Sequence, residues 1–346
     1  MFRHLHRAAA RVVDEVGFGA INLLHARQRP ARDFAARLDA YVGGWRQATM
    51  EEYLAVPQET AAEAALAALD FQPPAPGQRG RLRFPSPLPG AHPANGHAVY
   101  DLYAGPAGWS APTLLLTHGL MSVSDAGYRY WAARWNKAGW NVVFVHLPYH
   151  YARRPRGTFS GELCVTADLL RTVEGARQAV VELRMLLRWL AAQGGTRFAG
   201  WGTSYGAWVL GLLGCVEPLL AESHLALIEP ILDIDAAVWH SPACAVLRRW
   251  LRRRGVTPEM TAPHMRLCSP LHAGAPALPP ERVLLLAGQY DRVAPPGVIR
   301  ALHEKWRGSH FYEFPQGHIG YRLLPESFRL AGELWGGEFS AVSGPP

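Results

Sequence analysis

The chain predicts an α/β fold built on a mostly parallel, doubly wound sheet, and three observations carry that prediction. Short apolar runs of strand length alternate with helical runs between residues 112 and 314, and such alternation implies right-handed crossovers with helices on both faces of the sheet. One strand-like run enters a helix through Gly202-Thr203-Ser204-Tyr205-Gly206, a turn tight enough to lift a serine above the sheet. The segment between Asp233 and Pro280 is too long for one crossover helix, so residues 233–280 are expected to form a small helical cap above that serine.

Taken in chain order, residues 1–72 are alanine-rich and helical in pattern and read as an N-terminal helical extension. Phe2, Leu5, Ala9, Val12, Val13 and Val16 form one stripe, with Arg3, Arg7 and Arg11 on the opposite side. The stripe is expected to dock on the rest of the protein, and lying on a membrane surface is the alternative. Gln72-Pro73-Pro74-Ala75-Pro76-Gly77 marks a linker or boundary. Two antiparallel strands are expected between Arg81 and Tyr103, leading into the main domain, which spans residues 81–335. Its further strands fall near 112–117, 141–147, 197–201, 225–230, 282–287 and 310–314. Helical runs near 125–138, 168–192, 206–221 and 297–307 separate most of them. There is no internal repeat.

The chemistry-bearing residues sit at strand ends. A G-x-S-x-G turn between Thr196–Trp201 and the apolar run Ala207–Leu213 forces its serine into a strained backbone conformation. A Cβ at either flanking glycine would collide with the neighbouring strand or helix. Downstream, the buried run Arg282–Gly288 leads into Gln289-Tyr290-Asp291, and the alternating run His310–Pro315 leads into Gln316-Gly317-His318-Ile319-Gly320. A serine hydroxyl is a poor nucleophile at neutral pH, so it needs a base to take its proton and an acid to orient that base. The order serine, acid, histidine assigns Ser204 as nucleophile, His318 as general base and then acid, and Asp291 as the orienting carboxylate. Asp233 and Asp235, after the preceding strand, are alternative acids. Alone, a Gly-His-x-Gly loop reads as a turn and an aspartate after a strand reads as a cap. Their order downstream of the serine turn is what gives them weight.

The strand Pro112–Thr117 ends in His118-Gly119-Leu120-Met121-Ser122. Acyl transfer puts negative charge on a carbonyl oxygen, and pre-aimed backbone N–H groups stabilise it. The N–H groups of Tyr205 and Leu120 are the expected donors, with His118 bracing their loop rather than carrying a proton. His118, Gly119, Met121, Tyr149, His150 and Trp239 are the expected substrate-contacting residues, with Trp201 and Trp208 also expected to shape the acyl pocket.

On these residues the chain resembles serine hydrolases of the α/β-hydrolase superfamily. The resemblance covers residues 81–335 and rests on His118-Gly119, the Ser204 turn, Asp291 and His318. It implies the α/β-hydrolase fold and cleavage of carboxylic esters through an acyl-enzyme intermediate. A second, narrower likeness lies in Val145-His146-Leu147-Pro148-Tyr149-His150-Tyr151-Ala152-Arg153-Arg154-Pro155. This segment resembles the Pro-Tyr-Tyr then basic-basic-Pro stretch after the fourth strand in one subgroup of α/β-hydrolase-domain proteins, with His150 where that pattern has a second tyrosine. The subgroup's lipid acyl esters are the substrate class this likeness implies. Acyl transfer and thioester hydrolysis use the same triad, and a non-catalytic binding protein on the same fold is the rival from another class.

Composition narrows the remaining classes. With 346 residues, 49% of them hydrophobic, the chain can bury one large core. Cys164, Cys215, Cys244 and Cys268 are widely spaced, which argues against a disulfide framework or zinc site and suggests a reducing compartment. No run approaches the roughly 18 apolar residues of a membrane span, and no secretory signal is recognised at the N-terminus. A cytoplasmic location follows as the expectation. The net charge of +7 is concentrated at Arg248–Arg254 and at Arg153, Arg154 and Arg156. Solvated faces are the plain reading of these runs, and attraction to an anionic substrate or anionic membrane surface is the alternative. No motif accompanies them that would indicate nucleic-acid binding. His146 and His150 have the spacing of a helical metal pair, but Pro148 lies between them, so neither a metal nor another cofactor is expected. Oligomeric state is not readable.

Overall fold

Apolar runs bounded by turns become the strands of one sheet, in a computed structural model that describes residues 2–320 and 322–335, the side chains of residues 2–5 excepted. Helices α1 (Phe2–Arg27), α2 (Phe34–Gly44), α3 (Met50–Tyr53) and α4 (Glu59–Ala67) precede it. The strands are β1 (Arg79–Pro85), β2 (His97–Tyr103), β3 (Thr113–Thr117), β4 (Asn141–His146), β5 (Phe198–Thr203), β6 (His224–Ile228), β7 (Val283–Gly288) and β8 (His310–Phe314). They pair in the order β1-β2-β4-β3-β5-β6-β7-β8. The β1–β2 and β2–β4 pairs are antiparallel and all the others parallel, as the alternation of strands and helices predicts. β3, β4 and β7 are buried along their whole length; a parallel strand covered on both faces must be apolar throughout.

Helices α5 (Ala126–Lys137), α6 (Leu169–Ala192), α7 (Tyr205–Val216), α8 (Ile234–His240), α9 (Ala245–Arg253), α10 (Pro258–Met265), α11 (Pro296–Lys305) and α12 (Leu323–Trp335) follow or connect the strands. Strand residues alternate between two cores. Leu115, Val143, Leu225 and Leu285 face α6, α7 and α11, whereas Leu114, Val142, Ala226 and Leu284 face α5 and α12. The helix expected over 206–221 stops at Val216, and a single 3-10 turn, Pro218–Leu220, follows. Pro218 has no N–H to continue the ladder. Between Asp233 and Pro280 the chain forms α8, α9 and α10 joined by short 3-10 turns. Among the described residues, no helix is long and apolar enough to cross a membrane.

Two expectations require correction. Phe34, Leu38, Tyr53, Leu54 and Leu66 of the N-terminal helices share the α6–α7 core, and α1 is docked too, but not by its apolar stripe. Val12, Val13 and Val16 are exposed, whereas Asp14, Phe18 and His25 face inward and are almost completely buried. Ala9 is also exposed, and the side chains of Phe2 and Leu5 lie outside the described residues. A hydrophobicity stripe cannot register that the docked face contains a carboxylate. The second correction concerns the basic run at 153–156. Arg154 and Arg156 are exposed, but Arg153 is buried against the carboxylate of Glu182 on α6, with Nη–Oε distances of 2.6 and 2.8 Å. In the other run, Arg249, Arg252 and Arg253 are exposed, and Arg254 donates to the carbonyl of Pro30.

Candidate active site

The serine turn is built as its glycines require. Ser204 has φ 49° and ψ −112°, between the end of β5 and the first residue of α7. This is a conformation an L-residue holds only when its surroundings impose it. A Cβ at Gly202 would lie 2.3 Å from Thr117 Oγ1, and one at Gly206 would lie 2.6 Å from the His118 carbonyl. Both glycines therefore let the turn pack against the end of β3. Strands β3 and β5 are neighbours, so the 118–122 loop and the Ser204 turn share one edge of the sheet.

The loops after β7 and β8 bring the remaining two residues to the same edge. Ser204 Oγ is 2.9 Å from His318 Nε2, and His318 Nδ1 is 2.7 Å from Asp291 Oδ2. Nδ1 faces a carboxylate and so carries the proton; with the ring neutral, the serine hydroxyl donates to Nε2. The other Asp291 oxygen accepts the N–H groups of Val293 and Ala294 at 2.7 and 2.9 Å, which fixes the carboxylate. Burial pulls the His318 pKa down, but the charge and hydrogen bond of Asp291, helped by Glu229 and Asp14, outweigh it and leave the imidazole raised to about 9. The alternative acids do not reach it. Asp233 caps α8 by accepting from Ala236, and Asp235 accepts from the Thr261 hydroxyl.

Two further carboxylates surround the histidine, and the sequence reading missed both. Glu229, the residue after β6, is buried with φ 50°, and its carboxylate, Asp291 and His318 present ligand-capable atoms within 4.8 Å of one another. Burial, reinforced by the charge of Asp291, pushes its carboxyl well above the usual range, and the Gln316 amide donates to it at 3.2 Å. Its apolar neighbours make it read as part of a strand. Asp14 on α1 accepts the backbone N–H groups of His318 and Ile319, and nothing in its local sequence signals that.

Ser204 and His318 open into a cavity of about 730 Å³, within the size range of small-molecule sites. Its walls are mainly apolar: Ala20, Ile21 and Leu24 of α1, Val165, Trp208 of α7, and Ile234, Ala237 and Val238 of α8. Of the expected contact residues, Gly119, Leu120, Met121 and Tyr205 line it. Tyr205 opens α7, so its N–H has no acceptor within the helix.

His118, Tyr149, His150, Trp201 and Trp239 do not line the cavity, which corrects those expectations. Trp201 stacks on Phe328 beneath the sheet. Trp239 is buried inside the cap, its indole donating to Thr261, and Tyr149 belongs to the α6 core. His118 and His150 lie behind the 118–122 loop with ring centroids 4.6 Å apart. His118 Nδ1 donates to the Gly119 carbonyl and its Nε2 accepts from Leu147 N–H, while His150 Nδ1 donates to the Pro148 carbonyl. Burial holds both rings neutral, lowering the pKa of His118 well below the ordinary value and that of His150 to about 4. They brace the loop and carry no mobile proton. His146, the other half of the rejected metal pair, bonds to Asp101 instead.

Known proteins share the architecture around these residues. No family model matches the chain. An uncharacterized protein of Mycobacterium tuberculosis, from strains CDC 1551 / Oshkosh and ATCC 25618 / H37Rv, is 29% identical over 254 residues. That match covers 72% of this chain and 58% of the relative's length. Among solved structures, an acetyl xylan esterase from Paenibacillus sp. R4 superimposes with a TM-score of 0.51 at 15% identity, covering 89% of this chain and 97% of that one. A puromycin hydrolase gives 0.52 at 19% identity, over 78% of this chain and 41% of its own. A Mycobacterium tuberculosis puromycin-hydrolyzing peptidase gives 0.50 at 16% identity, over 75% and 39%. At these identities the likeness speaks to architecture, and together with the strand order and the turn at Ser204 it identifies the chain as a protein of the α/β-hydrolase fold.

Proposed function

We propose that this chain is a serine hydrolase that cleaves carboxylic esters with an apolar acyl group. The observation that carries the reading is the hydrogen-bonded line Ser204–His318–Asp291, whose serine and histidine line an apolar cavity. His318 Nε2 takes the hydroxyl proton as Ser204 Oγ attacks the carbonyl carbon. The tetrahedral oxyanion is stabilised by the N–H groups of Leu120 and Tyr205. The same histidine hands the proton to the leaving alcohol, an acyl-Ser204 ester remains, and water activated by His318 releases the acid. Asp291 keeps the ring oriented and stabilises its charged form. An esterase and a hydrolase among the solved structures of like fold agree with this chemistry. The apolar walls favour an acyl chain, and so support the lipid-like esters implied by the Pro148–Pro155 resemblance. Acyl transfer and thioester cleavage remain variants of the same acyl-enzyme.

The test is fluorophosphonate labelling of wild type beside Ser204→Ala, followed by p-nitrophenyl esters of increasing chain length. Labelling is expected in wild type alone. Each added methylene should raise kcat/KM by about fourfold, from about 0.8 kcal/mol per buried CH₂, until the cavity is filled. A folded wild-type protein that takes no label would favour the binding-protein reading.

The raised His318 pKa gives a signed pH prediction. The ring acts as base only when neutral, and its pKa is raised to about 9. The value of kcat/KM should therefore climb about tenfold per pH unit through neutrality and level off near pH 9. A profile already flat at pH 6–7 would mean that substrate or solvent offsets the field of Asp291.

A further inference from the structure

The Ser204–His318–Asp291 site is completed by a segment that lies outside the sheet and its crossovers. Asp14, midway along α1, is completely buried. Its Oδ2 accepts the His318 N–H at 3.2 Å and its Oδ1 accepts the Ile319 N–H at 2.9 Å. One carboxylate thus spans two successive peptide groups of the loop that carries the histidine. Glycines on both sides allow the approach. A Cβ at Gly317 would fall 2.4 Å from Asp14 Oδ2, and one at Gly17, three residues along α1, would fall 1.9 Å from Ile319 Cδ1. The next residue of the helix, Glu15, pairs with Arg292 at 2.9 Å, and Arg292 directly follows Asp291. α1 is therefore fastened to both loops that carry the histidine and its acid.

From this geometry we infer that Asp14 is a positioning residue for the general base, and that α1 is a working part of the active site. The inference rests on the serine-hydrolase reading of Ser204 and His318. Simple docking is a poor explanation for the contact, because a buried carboxylate carries a desolvation cost that an apolar side chain does not. The compensation Asp14 receives comes from the His318 loop itself. Without it, the N–H groups of His318 and Ile319 lose their acceptor and the loop loses its hold on the imidazole. Nε2 must stay within hydrogen-bond reach of Ser204, and a displacement of about 1 Å at a reacting group costs roughly 100-fold in rate.

Asp14 also acts on His318 through its charge. The groups facing the imidazole are Asp291 from the β7 loop, Glu229 from the end of β6 and Asp14 from α1, with the Glu15–Arg292 pair at the rim. Burial raises Asp14's own pKa by more than the two backbone hydrogen bonds lower it, so the carboxyl lies above its ordinary range. In its ionised form it helps hold the imidazole protonated. Removing that charge must lower the His318 pKa, an effect a purely structural contact would not produce.

The experiment compares wild type with Asp14→Ala and Asp14→Asn in the full chain, using the ester that wild type cleaves best. Asp14→Ala is expected to lower kcat by about 30- to 100-fold with little change in KM. Asp14→Asn keeps one acceptor and should recover part of that loss. Both should move the acid limb of the pH profile to lower pH. The His318 titration midpoint, followed by NMR and assigned with His318→Gln, should fall in parallel. If Asp14→Ala does not fold, the near-isosteric Asp14→Asn decides the matter on the same readouts. Folded variants with wild-type kcat and an unchanged His318 midpoint overturn the inference, as does a rise in KM alone, which would make α1 only a wall of the cavity. Failure of wild type to take a fluorophosphonate at Ser204 is a separate result, sinking the serine-hydrolase reading. The NMR midpoint still reports whether Asp14 acts on His318 in that event.

Discussion

Ser204→Ala is expected to abolish fluorophosphonate labelling and to lower kcat by about 10⁶-fold, with Asp291→Asn costing about 10⁴-fold. The first loss is so large because no acyl-enzyme can form without Oγ, leaving whatever the cavity and the Leu120 and Tyr205 N–H groups do for direct attack by water. The second has a different cause. An asparagine at 291 can present its amide N–H to His318 Nδ1, which favours the tautomer with its proton on Nε2, where the serine proton must go. The effects should not add: Ser204→Ala with His318→Ala is expected to be no slower than either single variant, because the two side chains act as one unit. Ser204→Ala should not lower Tm appreciably. Ser204→Ala keeps the Cβ and so keeps the strained backbone, held by the Ser204 N–H to Ile228 carbonyl bond at 2.8 Å. Steady-state kinetics beside thermal unfolding checks both parts. A Ser204→Ala protein retaining a tenth of the activity would assign the chemistry to another residue.

Much of this architecture is legible in the sequence, for a physical reason. Parallel strands covered on both faces must be apolar along their length, so β3, β4 and β7 stand out as uninterrupted runs, and the ends of β3 and β7 locate the loops of Leu120 and Asp291, whereas Ser204 and His318 follow β5 and β8. The turn at Ser204 is legible because only glycine fits at 202 and 206. What stays hidden depends on partners distant in sequence. Asp14 meets His318 across 304 residues, and a lone aspartate on an amphipathic helix looks like part of a solvated face. The valines at 12, 13 and 16 mislead in the opposite direction, forming an apolar stripe that faces outward. Tyr149 and His150 follow β4, a position from which side chains can turn toward the cavity or into the core. The Tyr149 backbone at φ 66° and its N–H bond to Asn95 direct this segment inward.

Arg153→Met should destabilise the fold by about 3–5 kcal/mol, far more than Ser204→Ala. Arg153 and Glu182 are 1% and 2% exposed and form a two-point ion pair. The guanidinium also donates to the His146 carbonyl at 3.2 Å, and Gln178 donates to Glu182 at 2.9 Å. Removing the cation leaves Glu182 buried beside partners that neutralise none of its charge. By the usual entropy per residue, a chain of 346 residues should lose about 4–7 °C in Tm. Replacing both partners, as Arg153→Met with Glu182→Leu, should recover most of the loss, since two apolar side chains bring no unpaired charge into the core. A consequence for activity follows from where the pair sits. Arg153 anchors the end of the segment that leaves β4, and Leu147 and His150 of that segment support the 118–122 loop through His118. The single variant is therefore expected to lose kcat as well as Tm, with KM affected less, because the proposed mechanism needs the Leu120 N–H most in the transition state. Should the single variant unfold at the wild-type temperature, the ion pair would be contributing no more than an apolar contact, and the loop's support would have to be sought in His118 and in Tyr151, whose hydroxyl lies 2.6 Å from Ser122 Oγ.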